Sequence, residues 1–373
     1  KEIRLKTAIG LMSGTSMDGI DVALVETDGQ DRIEFGPSLA IDYPSDMRRK
    51  LEAGLVDALE IEQRSDRPRS LAGLELEITR SHASAVDTFL HKFSLSRSDV
   101  DMIGFHGQTV LHRPEVGLTV QLGDGAALAR QTGIDVVYDM RARDMVESGQ
   151  GAPLVPVFHR ALANGLTCKS PVCFVNIGGI SNISYVDEDD LCAFDCGPGN
   201  TLIDQFVQAK GGIPYDQGGR IASEGQVIIP VVEGYMATEY FEKPGPKSLD
   251  RGDFPPLEPT RAELSDGARS LAHVTARSII KSADHLSKPP GSYILCGGGR
   301  LNDTIVSDLT QLAAEQGAAV MRAEDVKLDG DMLEAQAFGY LAVRSQLGLP
   351  LTFPTTTGCR TPVTGGVHVK AGD

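Results

Sequence analysis

A short segment, AFDCGPGN (residues 193–200), carries the carboxylate best placed for chemistry. Asp195 ends an apolar run and is followed by a Gly-Pro-Gly turn and by Asn200, which begins a predicted helix. A carboxylate at the end of a strand can take a proton from a nucleophile, and such a general base contributes about 10²–10⁴-fold to a rate. An aspartate in this position can also simply cap the turn. Gly197 and Gly199 would let the backbone lie against a phosphate group.

A second polar segment, LMSGTSMDGID (residues 11–21), lies between two runs that predict β-strands, TAIG and VALVE. Gly14, Thr15 and Ser16 offer backbone and hydroxyl donors in a row, and small residues let a backbone approach phosphate oxygens closely. The pair Asp18–Gly19 is also what a tight hairpin prefers, because such turns need positive φ angles. That preference leaves the three preceding donors unexplained, so the segment predicts a phosphate-binding hairpin.

None of the common nucleotide-binding motifs is complete. GPKS (residues 245–248) has the Lys and Ser of a P-loop without its upstream glycine, and GGGRLN (residues 297–302) lacks the third glycine of a dinucleotide fingerprint. The elements of protein kinases are absent. If the chain binds a nucleotide, we expect backbone N–H groups of glycine-rich hairpins and of the GGG turn to contact the phosphates.

Bulk composition narrows the classes of protein. The chain has 373 residues, 41% hydrophobic and 23% charged, which predicts a globular protein with two lobes. Its net charge of −16 repels phosphate backbones and anionic lipids, so neither nucleic acid nor a membrane is expected as a partner. No apolar run approaches the ~18 residues of a membrane span, and no signal-peptide pattern is present. The six cysteines form no Cys-x-x-Cys pair and predict buried thiols in a reducing, cytoplasmic compartment.

The elements that must position these residues are those of an α/β protein. Apolar side chains recur at steps of three and four over residues 71–90, which predicts an amphipathic helix, and further helices are predicted over 271–286 and 333–348. Residues 173–186 predict a β-hairpin around two glycines, with the same plan as the first hairpin. That likeness is compatible with a duplicated lobe and equally with chance. The segment 241–256 has no periodicity and predicts a functional loop.

Seven motifs taken together resemble the anhydro-N-acetylmuramic acid kinase family. They run in order over nearly the whole chain: IGLMSGTSMDGID, GFHGQT, QGAPLVP, NIGGISNIS, FDCGPGN, GPKS and CGGGRLN. The family belongs to the superfamily of actin, hexokinase and Hsp70, so the resemblance implies a two-lobed α/β fold that closes over ATP in an interlobe cleft. It implies the reaction in which ATP, water and 1,6-anhydro-N-acetylmuramic acid give ADP and N-acetylmuramic acid 6-phosphate, in bacterial cell-wall recycling. It also implies a homodimer.

The resemblance predicts two lobes with stated boundaries. Lobe I comprises residues 1–138 plus 348–373, and lobe II comprises residues 139–347, which hold both NIGG and CGGG.

The resemblance also assigns site residues. In the family, the aspartate matching Asp195 activates the water that attacks the anomeric carbon, and the departing O6 accepts the γ-phosphoryl group. The predicted ATP- and phosphate-binding residues are Gly14, Thr15, Ser16, Asp18, Gly19, Asn176, Gly178, Gly179, Gly197, Gly199, Asn200, Lys247, Gly297, Gly298, Gly299 and Asn302. The predicted substrate-binding residues are Ser13, His106, Gln108, Thr109, Arg141, Asp144 and Glu334. The cofactors are ATP and Mg²⁺, and Asp18 is the candidate metal ligand, with Asp195 or waters as alternatives.

Several of these residues also have an ordinary structural explanation. The HGQT segment predicts a turn after the strand 101–105, in which His106 could be purely structural. Arg141 suits the lactyl carboxylate of muramic acid, although an ion pair with Asp144 at the surface is the default expectation. Glu334 suits a helix N-terminus, and in the family a matching glutamate faces the substrate. Lys247 could bind phosphate or simply be solvated.

Other functions remain open at this point. The same fold and chemistry could serve levoglucosan, a 1,6-anhydroglucose without lactyl and acetamido groups, but Arg141 favours the muramic acid sugar. An ordinary hexose or N-acetylglucosamine kinase would use Asp195 to deprotonate a sugar hydroxyl. A non-catalytic sensor of ATP or sugar would be expected to lack Asp195 or a phosphate hairpin, and both are present.

Overall fold

The computed structural model describes residues 4–188, 190–249 and 252–372. Within these ranges, the strands are β1 (Lys6–Ser13), β2 (Gly19–Thr27), β3 (Ile33–Asp42), β4 (Met102–Arg113), β5 (Leu118–Leu122), β6 (Val136–Tyr138), β7 (Val172–Ile177), β8 (Ile180–Asp187), β9 (Asp190–Pro198), β10 (Ser292–Cys296), β11 (Ala319–Arg322) and β12 (Val367–Val369). The α-helices are α1 (Ser45–Asp57), α2 (Leu71–Lys92), α3 (Gly125–Thr132), α4 (Ala142–Val146), α5 (Pro156–Gly165), α6 (Thr201–Gly211), α7 (Arg220–Ser223), α8 (Ile229–Met236), α9 (Leu264–Lys281), α10 (Asp303–Glu315), α11 (Leu333–Gln346) and α12 (Pro354–Thr357). None of the described helices is long and apolar enough to span a membrane. The α/β class is confirmed.

The first of two compact units contains residues 1–165 and 332–373. Its mixed sheet has the strand order β12-β6-β4-β1-β2-β3, and β5 pairs with the second half of β4. β1, β4 and β6 run parallel, so the carboxyl ends of β1 and β6 lie on either side of the middle of β4. Ligands commonly bind at the carboxyl ends of parallel strands in α/β proteins. The segments that follow Ser13 and Tyr138 begin at these two ends.

Helices cover both faces of this sheet. On one face, Ile9, Leu11 and Phe105 pack in a core with residues of α2 and α3. On the other face, α11 approaches β1 and β4 closely, because the sheet presents glycines there. A side chain at Gly10 or Gly104 would collide with main-chain atoms of α11.

The second unit contains residues 166–331 and a sheet of order β11-β10-β7-β8-β9. β11, β10 and β7 are parallel, whereas β7, β8 and β9 form an antiparallel meander. One face of this sheet packs on α6, α9 and α10 through Ile177, Ile183, Phe194 and their neighbours. Alternation along the strands therefore directs Asn176, Asn182 and Asp195 to the opposite face.

The two sheets share a strand order. In each unit, an antiparallel meander (β1-β2-β3 or β7-β8-β9) is extended by two parallel strands beside its first strand (β4 and β6, or β10 and β11). This equivalence supports a duplicated lobe, which the likeness of the two hairpins had left undecided.

The division of the chain differs from the prediction, which placed residues 139–165 and 332–347 in the second lobe. In the structure both segments belong to the first unit. The physical reason is the packing of α11 on the glycines of β1 and β4, and the hydrogen bonds that join residues 141–151 to the segment 352–357.

Three local predictions also change. β4 continues through HGQT to Arg113, because residues 108–113 pair with β5. Gly107, within the strand, adopts a φ of 74°. The helix predicted over 271–286 is α9, which begins seven residues earlier and is followed by a 3₁₀ turn. Asn200 precedes α6 but its side chain does not cap that helix, whereas the Asn302 side chain accepts from Thr304 and Ile305 at 3.1 Å and caps α10.

Candidate active site

The base of the β1–β2 hairpin is a buried hydrogen-bond network. The Ser13 hydroxyl donates to Oε1 of Gln108 at 2.6 Å and lies 3.0 Å from the Tyr43 hydroxyl, while Nε2 of Gln108 donates to the carbonyl of Gly14 at 3.1 Å. Burial raises the pKa of Tyr43 to about 12, so its phenol stays protonated. Ser13 and Gln108 are each 1% exposed. They therefore position the hairpin rather than present groups to a sugar, and Tyr43 is a member of this network that sequence analysis missed.

The tip of the hairpin is accessible. Thr15, Ser16 and Asp18 are exposed, and a side chain at Gly14 would meet only the Ser16 hydroxyl, at 3.8 Å. The positive φ in the turn falls on Met17, at 55°, and not on the Asp18–Gly19 pair. The explanation that Asp18–Gly19 merely provides turn geometry is therefore wrong.

Gly19 has a packing role. A side chain there would collide with the main chain of β3 at Ile41. Its smallness lets β2 and β3 pair and does not require a nearby phosphate.

Next to the carboxyl end of β6, His106 of β4 and Arg141 form a hydrogen-bonded pair. Nη2 of Arg141 lies 3.1 Å from Nε2 of His106, and Nη1 donates to the carbonyl of Gly151 at 2.9 Å. Burial, followed by the charge of Arg141, lowers the pKa of His106 to about 3, so Nε2 of the neutral imidazole accepts a hydrogen bond from Nη2 of Arg141. Desolvation lowers the pKa of Arg141 to about 10, which leaves it charged at neutral pH. Its Nε is buried without a protein partner among the described residues.

Asp144 is a buried carboxylate that binds Gly151, a hydrogen-bond partner of Arg141. It is 1% exposed, and its carboxylate accepts from the Gly151 main chain at 2.7 Å, from Thr352 at 2.5 Å and from Thr357 at 2.6 Å. Its oxygens are thus occupied by the protein. Asp144 binds the N–H of Gly151, and Arg141 donates to the carbonyl of the same residue. Asp144 is a positioning residue and not part of a surface ion pair.

Glu334 is exposed to solvent, whereas Thr109 is hydrogen-bonded within the sheet. Glu334 lies in the first turn of α11, and solvent reaches its side chain. Desolvation by the surrounding chain raises the pKa of Glu334, and the charge of Arg141 opposes this increase. Thr109 accepts from the Gln121 amide at 3.2 Å and serves the pairing of β4 with β5.

In the second unit, three polar side chains form a row across the sheet. Asn176 on β7 pairs with Asn182 on β8, and Asn182 pairs with Asp195 on β9. Directly paired residues point to the same face with Cβ atoms about 5 Å apart. Asp195 therefore lies beside Asn182. The sequence analysis named Asn176 from the motif NIGGISNIS but not Asn182, because only the strand pairing shows that Asn182 is next to Asp195.

The loop that begins at residue 241 fixes Asp195. The main-chain N–H of Leu249 donates to Oδ2 of Asp195 at 2.8 Å, the Asp195 N–H donates to the carbonyl of Lys247 at 3.0 Å, and the Tyr240 hydroxyl donates to the Asp195 carbonyl at 2.8 Å. Part of the predicted loop, residues 250–251, lies outside the described residues.

Lys247 lies in the same loop and contacts Tyr240 and Phe194. Its ammonium donates to the carbonyl of Tyr240 at 3.0 Å and lies 4.5 Å from the ring centre of Tyr240 and 5.4 Å from that of Phe194. Burial lowers the pKa of Lys247. It is thus neither simply solvated nor directed at an open phosphate site in this conformation.

The glycine-rich turn between β7 and β8 contacts the start of α6. Asn200 and Gly199 donate main-chain hydrogen bonds to Gly178 and Gly179, at 2.8 and 2.9 Å. A side chain at Gly199 would collide with the Gly178 carbonyl, and one at Gly197 would come within 2.7 Å of Ser278. The protein itself therefore explains the smallness of Gly197 and Gly199, whereas a side chain at Gly178 would make only ordinary contacts, at 3.5 Å or more.

A cavity of about 360 Å³ lies in this unit between the start of α6, the start of α10 and the GGG turn. Its lining residues include Asn200, Ile203, Asp204, Tyr215, Asp216, Gln217, Gly218, Gly298, Leu301 and Asn302. Of the three consecutive glycines, only Gly298 is open, since a side chain at Gly297 or Gly299 would collide with Asn176 or Ile177. A volume above 300 Å³ is within the range of small-molecule sites.

Two aspartates of this cavity escaped sequence analysis. Asp216 accepts from the main chains of Ile221 and Ala222, at 2.8 and 3.0 Å. Burial, followed by the charge of Asp216, raises the pKa of Asp204 to about 6. Without the tertiary structure, Asp204 is an ordinary acid in the first turn of a helix.

The residues present are compatible with Mg²⁺. Among the described residues, no group of three or more His, Cys, Asp or Glu side chains could hold a metal ion. Mg²⁺ commonly keeps several waters and binds through one or two carboxylates together with substrate phosphates. Asp18 suits this mode, because it is exposed at the hairpin tip and one of its oxygens accepts from Ser16 at 2.8 Å.

Asp195 lies within β9, which continues to Pro198 and does not end at Asp195 as the sequence predicted. These features define an α/β protein with a duplicated sheet plan, glycine-rich turns suited to phosphate groups and a carboxylate held by a neighbouring loop. Residues 6–371 match the model of the family described as anhydro-N-acetylmuramic acid kinase. The chain belongs to this family, which confirms the resemblance.

Three relatives of similar length carry the name of this family. Anhydro-N-acetylmuramic acid kinase of Rhizobium etli is 54% identical over 365 residues, covering 97% of this chain and 98% of that protein. The protein of the same name from Agrobacterium fabrum is 52% identical over 370 residues, covering 98% of this chain and 99% of that protein. That from Brucella canis is 54% identical over 369 residues, with the same coverage.

Two solved structures are more distantly similar. A ROK family glucokinase from Streptomyces griseus, in complex with glucose and AMPPNP, has a TM-score of 0.43 and 12% identity, covering 91% of this chain and 99% of that one. The activator of the 2-hydroxyisocaproyl-CoA dehydratase from Clostridium difficile, with bound ADPNP, has a TM-score of 0.41 and 11% identity, covering 92% of this chain and 98% of that one.

Proposed function

We propose that this chain is an ATP-dependent kinase that adds water across the 1,6-anhydro bond of 1,6-anhydro-N-acetylmuramic acid and phosphorylates O6, giving N-acetylmuramic acid 6-phosphate and ADP. Family membership supports the reaction. The observation that carries it is the carboxylate of Asp195, which is half-buried, held by the Leu249 main chain and aligned with the row of polar side chains.

Asp195 acts as the general base. It takes a proton from a water molecule, whose oxygen bonds to the anomeric carbon as the bond between that carbon and O6 breaks. O6 leaves with the electron pair and attacks the γ-phosphorus of ATP, and the bond to the β–γ bridging oxygen breaks to release ADP. Positioning and charge neutralisation provide most of the remaining rate enhancement in phosphoryl transfer.

Residues of the first unit bind the sugar. Arg141 is charged, its guanidinium orientation is fixed by His106 and Gly151, and its Nε retains a donor without a protein partner in the described chain. A guanidinium fixed in this way suits a carboxylate, which is the feature that distinguishes muramic acid from other anhydro sugars. Glu334 would accept from a sugar hydroxyl.

Residues of the second unit bind the nucleotide. The cavity beside Gly298 would hold the adenosine part, and the turn at Gly178 would face the phosphates. The exposed donors of the first unit's hairpin, Thr15 and Ser16, would contribute further hydrogen bonds to phosphate oxygens. Mg²⁺, with Asp18 as a candidate ligand, would neutralise phosphate charge when bound.

The test is product analysis by mass spectrometry in ¹⁸O-water, with ATP, Mg²⁺ and either 1,6-anhydro-N-acetylmuramic acid or levoglucosan. We expect the muramic product to gain one phosphoryl group and one ¹⁸O atom at the anomeric position. Because a hemiacetal oxygen exchanges slowly with water, a parallel sample of unlabelled product in ¹⁸O-water sets the background.

Other results would change the proposal. Phosphorylation of levoglucosan alone would replace the substrate. Phosphorylation of the anhydro sugar without ring opening would indicate an ordinary sugar kinase. Label found only in free phosphate would indicate an ATPase.

The proposal includes a homodimer in the cytoplasm, as the resemblance implies. Light scattering coupled to gel filtration tests the dimer, and a monomer at micromolar concentration would remove it. Fractionation of the source cells tests the location.

A further inference from the structure

Arg300 follows the GGG turn directly and is an unusually buried cation. Its side chain is 3% exposed. Nε and Nη2 lie 3.0 and 2.8 Å from Oε1 of Glu324, and Nη1 lies 2.9 Å from Oδ1 of Asp331. Both carboxylates come from the segment that follows β11, so the guanidinium joins this segment to the GGG turn.

The same guanidinium contacts the turn itself. Nη1 donates to the carbonyl oxygen of Gly297 at 3.1 Å, and the Arg300 main-chain N–H donates to that oxygen at 3.2 Å. Gly330 contacts the guanidinium from the other segment, since a side chain there would collide with it. The carbonyl of Gly297 is therefore held by two donors that both belong to Arg300.

This arrangement has a consequence for the next residue. In a trans peptide the carbonyl and the following N–H point in opposite directions. With the Gly297 carbonyl directed at Arg300, the N–H of Gly298 is directed away from it. Gly298 is exposed, lines the 360 Å³ cavity and has open space where a side chain would be.

We propose that Arg300 is a positioning residue for the nucleotide: it fixes the Gly297–Gly298 peptide so that the Gly298 N–H serves as a donor to an oxygen or nitrogen acceptor on the adenosine part of ATP. This inference rests on the proposed function, in that it requires a nucleotide in this cavity. Arg300 itself does not contact the nucleotide. Only a planar fork of donors can engage Glu324, Asp331 and the Gly297 carbonyl at once, so lysine cannot replace it fully.

The experiment measures ADP binding by titration calorimetry for the whole protein and for Arg300→Lys and Arg300→Met. We expect Kd for ADP to rise about tenfold in Arg300→Lys, which corresponds to about 1.4 kcal/mol, and to rise further in Arg300→Met. KM for the sugar and kcat at saturating ATP should change less than twofold. Arg322→Met, which removes an exposed ion pair with Asp303 in the same unit, is the matched control and should bind ADP normally.

A purely structural role predicts a different pattern. It would lower the thermal midpoint of Arg300→Lys and leave the ADP affinity of the folded fraction unchanged, and that result would overturn the proposal. Selective ¹⁵N-glycine labelling provides a second readout: ADP should shift the Gly298 amide resonance in the unmodified protein and shift it less in Arg300→Lys. An unaffected Gly298 resonance in the unmodified protein, with ADP bound, would also overturn it.

The two proposals fail separately. If the unmodified protein binds no ADP, the nucleotide site of the proposed function is wrong. If it binds ADP but Arg300→Lys binds equally well, only the role of Arg300 is wrong. If Arg300→Met does not fold, Arg300→Lys and the Gly298 resonance still decide the question.

Discussion

The main-chain N–H of Leu249 donates a 2.8 Å hydrogen bond to Oδ2 of Asp195. These residues are 54 positions apart, and the bond joins an irregular loop to strand β9. A main-chain donor cannot rotate away as a side chain can, so it fixes the plane of the carboxylate. The irregular loop is therefore part of the device that orients the proposed base.

Replacing the proposed base should separate binding from turnover. In Asp195→Asn, kcat should fall about 10²–10⁴-fold because the amide cannot accept the proton of the attacking water. The amide oxygen can still accept from Leu249, so Kd for ADP should change little. Steady-state kinetics and calorimetry measure the two quantities, and near-normal turnover would remove Asp195 from the mechanism.

The neighbour of the base offers a pH test. Asn182→Asp places a second carboxylate directly across the sheet from Asp195, and a like charge at this distance disfavours ionisation of both groups. The acid limb of the kcat profile should move to higher pH by about one unit. Asn182→Ala, which adds no charge, is the control. An unmoved limb in Asn182→Asp would mean that a different group accepts the proton.

The role of Arg141 can be tested with a paired change in protein and substrate. Arg141→Lys should raise KM for 1,6-anhydro-N-acetylmuramic acid about 10–100-fold, because lysine cannot keep the bonds to His106 and Gly151 while contacting a carboxylate. The same variant should show little change with 1,6-anhydro-N-acetylglucosamine, which lacks the lactyl group. Arg143→Lys alters an exposed neighbour and is the control. Equal losses with both sugars would show that Arg141 supports the site without reading the carboxylate.

The cavity of the second unit should show a pH-dependent affinity. Burial and Asp216 raise the pKa of Asp204 to about 6, so the group becomes an acceptor carboxylate as pH rises through that value. Ribose hydroxyls would donate to the ionised form, and we expect ADP to bind more tightly at pH 7.5 than at pH 5. In Asp204→Asn this dependence should shrink to the part that comes from ionisation of the ADP phosphates, which titrate in the same range. Calorimetry at both pH values measures it, and an undiminished dependence in the variant would remove Asp204 from the site.

Buried histidines should weaken the fold in acid. His82 is fully buried, and burial lowers its pKa from 6.5 to about 4. Below pH 6.5 the unfolded chain binds a proton that the folded chain excludes, so the free energy of unfolding falls as pH decreases towards 4. Between pH 7 and pH 5.5 this group alone should cost about 1 kcal/mol.

The variant His82→Phe isolates this contribution. Its ring can still pack against Phe105, and its stability relative to the unmodified protein should improve by about 1 kcal/mol between pH 7 and pH 5.5. Urea unfolding at the two pH values measures the difference. His106 and His159 are also buried with low pKa values, so the variant should keep part of the acid sensitivity. Parallel losses in the two proteins would contradict the assignment.

Elements with strong local patterns were predictable. The periodicity of residues 71–90 and 333–348 corresponds closely to α2 and α11, and the hairpin predicted over 173–186 is β7 and β8. The packing partner of α11 was not predictable, because an apolar helix face does not specify which sheet it will cover. That choice followed from glycines in β1 and β4, which admit the helix backbone.

Some features of the candidate site were also predictable from the sequence, and others were not. Sequence motifs identified Asp195, Arg141 and the GGG turn, since each combines an unusual residue with a turn or strand end. They did not distinguish Gly298, which is open, from Gly297 and Gly299, which contact protein. They also grouped Ser13, Gln108 and Asp144 with the substrate residues, although all three are buried supports.

The sequence by itself thus determined the family, the α/β class and the residues able to do chemistry, because residue type and local periodicity are properties of neighbours along the chain. Only the tertiary structure decided which of those residues face open space. Exposure depends on contacts between distant segments, such as Leu249 with Asp195 or Thr352 with Asp144. The same contacts set the protonation of His106 and Asp204, since burial and neighbouring charge, rather than residue type, determine their pKa values.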